Sequence, residues 1–180
     1  MQTYRLVPHP ASPPKHVAGV VADVWADPEE VLLTFKVEGS EALRLPEWAT
    51  PKRRDELWMT SCFELFLQPA GAEEYFEFNL SPSSEWAAYR FSGYREDMAE
   101  LVMPVEPFVD RGVPPDEFVI EADVDLSAVP AGALRMGLSA VIEELDGTKS
   151  FWALRHPPGD KPDFHHPDCF AVDLSPASGT

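Results

Sequence analysis

Residues 56–91, ELWMTSCFELFLQPAGAEEYFEFNLSPSSEWAAYRF, decide the fold. Within them Phe63, Leu65 and Leu67 alternate with Cys62, Glu64, Phe66 and Gln68, and Phe76, Phe78 and Leu80 alternate with Tyr75, Glu77 and Asn79. A period of two in runs this short marks strands with one apolar face, so the stretch reads as a three-stranded meander. If PAGAEE closes the first hairpin with Gln68 opposite Tyr75, Glu64 lies opposite Asn79, and a tight SPSS turn then sets Asn79 opposite Trp86. The expected result is a row, Glu64, Asn79 and Trp86, on an outward face, with Phe63, Phe76 and Phe78 buried behind it. A carboxylate, an amide and a flat ring side by side offer hydroxyl acceptors and an apolar plate, which suits a sugar-like ligand. The same residue types also occur on plain solvent faces of antiparallel sheets.

Working outward, residues 17–25 and 31–37 flank a turn at ADPEE and form an opening hairpin, with Trp25 expected in the core. A short strand is expected around Leu43 to Leu45, followed by a polar loop with Trp48 and the cluster Lys52, Arg53, Arg54, which reads as a solvated loop rather than a phosphate site. Beyond the meander, a strand passes through Leu101 and Met103. Two clean alternations follow, Phe118 to Leu126 and Leu134 to Ile142, and Asp146-Gly147 closes a hairpin onto SFWAL. A loop, HPPGDKPDFHHPD, leads to a last strand from Cys169 to Leu174. About ten strands, with turns every ~8 to 12 residues and no convincing three-turn helix, make the fold class all-β: a two-sheet antiparallel β-sandwich. One domain spans residues 17–174, after a Pro-rich lead at 1–16 and before a flexible tail at 175–180.

Composition narrows the partners. With 14 basic against 31 acidic residues the formal charge is −17, so nucleic acid and anionic membrane are not expected partners. A small-molecule ligand is. The N-terminus has neither the charged nor the apolar segment of an export signal, and no run reaches the ~20 apolar residues of a membrane span, so a cytoplasmic protein is expected. Cys62 and Cys169 read as reduced, buried thiols. Oligomeric state is left open by the sequence.

No dinucleotide, phosphate-loop, zinc-protease or nucleophile-elbow motif is present. Glu64 and Glu77 could in principle serve as a paired acid and base in a glycan-processing enzyme, although carboxylates on adjacent strands are common. The densest reactive cluster is RHPPGDKPDFHHPDC, with Arg155, His156, His165, His166, Asp168 and Cys169. It reads as a loop whose histidines bond locally or meet a ligand, which makes Arg155, His156 and His165 candidate contacts. The alternative is a haem or divalent-metal module built on the same segment. Otherwise no cofactor is expected.

Trp58 lies six residues before Glu64 in WMTSCFELFL, a second strand ends at Asn79, and the chain closes with FHHPDCF at residues 164–170. This pattern resembles the DOMON-like, family 9 carbohydrate-binding modules, and within them a bacterial DOMON-like branch that shares FELFL, FNLSP, EWAAY and KPDFHHPDCF. The resemblance covers residues 17–174. It implies a β-sandwich that binds its ligand without catalysis, in which two Trp rings clamp a terminal sugar while carboxylate and amide groups hold its hydroxyls. Trp58 falls on the first ring position and Glu64 on the acidic one. Phe164 stands where the second Trp belongs and offers a smaller stacking face. Trp58, Glu64, Asn79, Trp86, Arg155, His156, Phe164 and His165 are therefore the candidate ligand-binding residues.

Overall fold

The computed structural model describes residues 1–112 and 117–174. Its strands, in chain order, are β1 (Gln2–Pro8), β2 (Gly19–Ala26), β3 (Glu30–Glu38), β4 (Cys62–Pro69), β5 (Tyr75–Leu80), β6 (Trp86–Phe91), β7 (Ala99–Glu100), β8 (Phe108–Gly112), β9 (Phe118–Asp125), β10 (Leu134–Glu143), β11 (Lys149–Ala153) and β12 (Val172–Leu174). Among the described residues the only helical pieces are 3-10 turns of three residues, and no helix is long and apolar enough to cross a membrane.

The all-β, antiparallel reading holds, but the strands do not divide into two separate sheets. Hydrogen bonding runs continuously in the order β7-β6-β5-β4-β10-β11-β1-β2-β3-β9-β8, with β12 beside the start of β10. The connecting strand is β1, from the segment expected to be a lead. Gln2 to Leu6 pair with β2, and Val7 and Pro8 pair with β11. Only Leu6 of this strand is buried, so the segment carries no alternation to read. Its pairing covers what would otherwise be two open edges. The curled sheet then folds its two halves face to face: Phe63 of β4 packs 5.0 Å from Phe35 of β3 and 6.3 Å from Phe118 of β9, centroid to centroid. The inward faces of β2, β3, β4, β5, β9 and β10 form one core.

The structure corrects four local expectations. The strand expected through Leu101 and Met103 is only Ala99–Glu100, and the last strand is only Val172–Leu174, with Cys169 in a 3-10 turn. Trp25 is half-buried on the outer face, because the inward positions of β2 belong to Ala22, Val24 and Ala26. Residues 43–45 form no strand; Leu43 makes a single bridge to Glu144 after a 3-10 turn at Ser40–Ala42. The basic loop is solvent-exposed, as expected, and its cations are also paired. Arg54 and Lys52 reach the buried Glu85 at 3.1 and 3.7 Å, and Arg53 reaches Asp55 at 2.9 Å. The expected tail at 175–180 lies outside the described residues.

Glu144 shows how this chain buries a carboxylate for structure. It is 0% exposed, just past β10, and accepts backbone N–H bonds from Lys15 at 2.9 Å, His16 at 3.1 Å and Val17 at 3.4 Å. Those donors lie where the chain leaves β1 for β2 and have no strand partner to replace the carboxylate. Glu144→Ala would leave the buried Val17 N–H and the part-buried N–H groups of Lys15 and His16 without their acceptor and is expected to cost about 1 to 3 kcal/mol, measured by urea unfolding. A loss below ~1 kcal/mol would show that water replaces the carboxylate.

Candidate ligand-binding cleft

The meander has two faces, and both are covered. Phe63, Leu65, Leu67, Phe76, Phe78 and Leu80 point into the main core, with Trp86 and Ala88 of β6. The opposite face carries Cys62, Glu64 and Phe66 of β4, Tyr75, Glu77 and Asn79 of β5, and Ala87, Tyr89 and Phe91 of β6. Leu57 and Phe170 pack over it, and with the aromatic residues form a second buried cluster flanked by Trp58 and Phe164.

The register explains which residues share this face. Glu64 pairs with Asn79 as expected, and Phe66 with Glu77, so the two glutamates are diagonal neighbours. Across the next pair Asn79 faces Ala87, and Trp86 faces Leu80. The expected row therefore loses Trp86, whose ring lies in the main core. The cause is the loop, which has five residues rather than four. Ser84 donates from its backbone N to Ser81 O at 3.0 Å and adopts φ 77°, while Ser81 N donates to Glu85 O at 3.0 Å. Ser81, Ser83 and Glu85 side chains hold one another within this turn. One added residue flips every later side chain to the other face.

On the covered face a cleft of about 360 Å³ opens, lined by Trp58, Glu64, Glu77, Phe91, Arg95, Met98, Val141, Phe151, Pro162, Phe164 and His165. Trp58 sits in the 3-10 turn Leu57–Met59, which starts from Glu56 at φ 62° and is anchored by buried Leu57. Its ring meets Tyr89 edge-on at 6.1 Å. Phe164 lies in the loop before β12 and packs against Phe151 at 6.2 Å. Both rings are half-buried.

Asp163 fixes that loop. Arg95 Nη2 donates to its Oδ1 at 2.8 Å, His165 N donates to the same oxygen at 3.2 Å, and Tyr94 donates to the other oxygen. The loop is thereby tied to the turn after β6. Tyr75 Oη accepts from Arg95 N at 3.2 Å and lies 2.8 Å from His165 Nδ1. The phenol proton goes to Nδ1, the only acceptor it reaches among the described residues, so Nε2 carries the imidazole proton and faces Glu77 Oε2 at 3.8 Å. Burial, reinforced by Arg95, holds the His165 pKa down at about 4, so this imidazole is neutral.

Glu64 and Glu77 form the polar floor. They are 3% and 5% exposed. Ser139 Oγ donates to Glu64 Oε2 at 2.6 Å, and Asn79 Nδ2 donates to Glu77 Oε1 at 2.8 Å. Both carboxyls titrate well above the ordinary carboxylate range: burial is the main cause for each, and the neighbouring Glu77 adds to it for Glu64.

Solved structures give the fold a context. One protein from Bacteroides uniformis, described as a candidate carbohydrate-binding protein, matches with a TM-score of 0.69 and 17% identity over 93% of this chain and 83% of its own. A family 9 carbohydrate-binding module (CBM9) from Caldicellulosiruptor kristjanssonii, in complex with glucose, matches with a TM-score of 0.54 and 12% identity over 94% and 82% of the two chains. The fold is CBM9-like. No protein-family model and no curated protein matches the chain.

Within this CBM9-like fold the sequence-derived candidates separate. Trp58, Glu64, Phe164 and His165 line one cleft, and Asn79 stands behind it, holding Glu77. Arg155 and His156 do not line it: they lie beside Val7, Pro8 and His9, with His156 Nε2 2.9 Å from Val7 O, and the His156 ring packs 6.2 Å from that of Phe164, behind the cleft wall. The side chains of the segment offered for haem or metal make hydrogen bonds within the protein. His165 is tied to Tyr75, His166 accepts from Asp168 N at 3.2 Å, and Cys169 Sγ donates to Asp163 O at 3.2 Å. Among the described residues no group of three His, Cys, Asp or Glu side chains could hold a metal ion. Sequence reasoning missed Arg95, Phe151 and Pro162. These come from irregular segments or from strand positions whose neighbours are distant in sequence, so periodicity gave no signal for them.

Proposed function

We propose that this chain is a carbohydrate-binding domain that takes a sugar or sugar derivative into the cleft between Trp58 and Phe164, and that it binds without turnover. The observation that carries this reading is the joining of aromatic walls to two buried carboxyls with free acceptor oxygens, on a CBM9-like fold. Ring C–H faces stack on Trp58 and Phe164, and hydroxyls donate to Glu64 Oε1 and Glu77 Oε2. The Phe164 ring covers less of a sugar than an indole, which favours a small ligand held chiefly by its polar contacts.

The test is a calorimetric titration with monosaccharides and short oligosaccharides, repeated on Trp58→Ala and Phe164→Ala. Each variant is expected to lose about 5- to 30-fold in affinity, corresponding to roughly 1 to 2 kcal/mol of stacking. Fold stability should drop by less than ~2 kcal/mol, because both rings are already half-exposed. Unchanged affinity, or a destabilisation above ~3 kcal/mol in both, would mean the rings merely close the sheet edge.

A further inference from the structure

The carboxylates this chain buries fall into two kinds. Glu85, 2% exposed, has two cations, Arg54 and Lys52, at 3.1 and 3.7 Å. Glu144, 0% exposed, has three backbone N–H donors. Glu64 and Glu77 are different. Each has one neutral donor on one oxygen, and Glu64 Oε1 and Glu77 Oε2 accept no hydrogen bond from the described residues. Arg95, the guanidinium on the cleft wall, is engaged by Asp163 at 2.8 Å. The other titratable groups acting on the pair are neutral: burial pushes the Cys62 thiol on β4 and the Tyr75 and Tyr89 phenols on β5 and β6 up, and pushes His165 from the facing loop down. Ser139 is the contact from β10. The cleft thus holds two adjacent carboxyls that no cation of the described residues contacts, with Arg95 on the wall favouring the ionised form of Glu77 from a distance, among four aromatic side chains, Trp58, Phe91, Phe151 and Phe164.

Resting on the carbohydrate reading above, we infer that the sugar this cleft selects carries a free, protonated amine, with its ammonium set between Glu64 and Glu77. An ammonium has three donors and no acceptor, matching two unfilled carboxylate oxygens and leaving one donor for a further contact. A neutral hydroxyl leaves the buried pair in its protonated form, whereas an ammonium stabilises an ionised carboxylate beside it and gains charge-assisted hydrogen bonds. The ring faces attract a cation as well as stacking on sugar C–H groups. The chain's formal charge of −17 adds a long-range pull of the same sign. The raised proton affinity of the two carboxyls adds a signature: the ammonium displaces a proton they would otherwise hold.

The experiment compares glucosamine, glucose and N-acetylglucosamine by calorimetry on the full chain at about pH 7, where most of a free sugar amine is charged. Glucosamine is expected to bind at least about tenfold more tightly than either neutral sugar, and Glu77→Gln to narrow that ratio. Titrations in two buffers of different ionisation enthalpy should show proton release for glucosamine alone. If glucose or N-acetylglucosamine binds as tightly as glucosamine, the inference fails while carbohydrate binding stands. If no sugar binds, both fail. If glucosamine wins but Glu77→Gln and Glu64→Gln both leave the ratio unchanged, the ammonium lies elsewhere and the placement is wrong.

Discussion

Phe170→Ala is expected to cost about 3 to 5 kcal/mol and to remove ligand binding with it. Its ring is 1% exposed, with Phe66 at 5.8 Å and Tyr75 at 5.4 Å between centroids, and it forms the base on which the loop of Phe164 and His165 rests. Gly137 of β10 makes the space: a Cβ there would lie 2.9 Å from Phe170 Cδ1 and 3.1 Å from Cys169 O. Arg135 Nη2 donates to Phe170 O at 2.6 Å and holds the backbone down on the same strand. Truncating the ring leaves a hole in a cluster that cannot collapse without moving Tyr75, and Tyr75 orients His165. Gly137→Ala should be destabilising by roughly 1 to 3 kcal/mol for the opposite reason, overpacking. Chemical denaturation of Phe170→Ala beside Phe164→Ala checks the assignment. Equal, small losses would show that Phe170 is no more structural than the half-exposed ring six residues earlier.

How far the sequence could be read depends on where each constraint sits. Alternation in residues 62–80 was enough for the β4–β5 register, because that hairpin presents one apolar and one mixed face and a slip would bury the wrong set. The β5–β6 register was not legible, since a serine-rich turn of four or five residues reads the same. The decision lies in the hydroxyl bonds of Ser81 and Ser83 and in the positive φ of Ser84. β1 was invisible for another reason: it buries one side chain and is a strand because two edges receive it. The cleft was half legible. Trp58, Glu64, Phe164 and His165 were singled out and lie together, whereas Glu77 had been noted only as one of a common pair. What raises it is the cover of residues 157–170, tied down by Asp163 and Arg95, an ion pair whose partners are 68 residues apart.

That cover has a thermodynamic consequence, and Glu64→Gln should expose it by raising stability at about pH 8. Glu64 and Glu77 titrate higher in the folded chain than in the unfolded one, so between the ordinary carboxylate range and their folded values the native state holds more protons. Their contribution to stability is complete below the ordinary carboxylate range and is lost as pH rises through the folded values. His165 acts in the opposite sense. Its folded pKa of about 4 lies below the ordinary imidazole value, so the stability it gives is present above roughly pH 6.5 and is lost as pH falls toward 4. The two trends offset one another in mildly acid solution. Above ~pH 6.5 only the carboxyls still change, and the wild-type chain is expected to weaken as pH rises. Glutamine keeps the shape and can still accept from Ser139 but has no proton to lose, so Glu64→Gln should flatten that decline. The expected gain is roughly 1 to 3 kcal/mol at about pH 8, and near zero at about pH 5 where the glutamate is already protonated. Urea unfolding at the two pH values measures the difference. A loss of similar size at both would mean that Glu64 serves the fold through its carboxylate, and that the sheet tolerates its charge without need of a ligand.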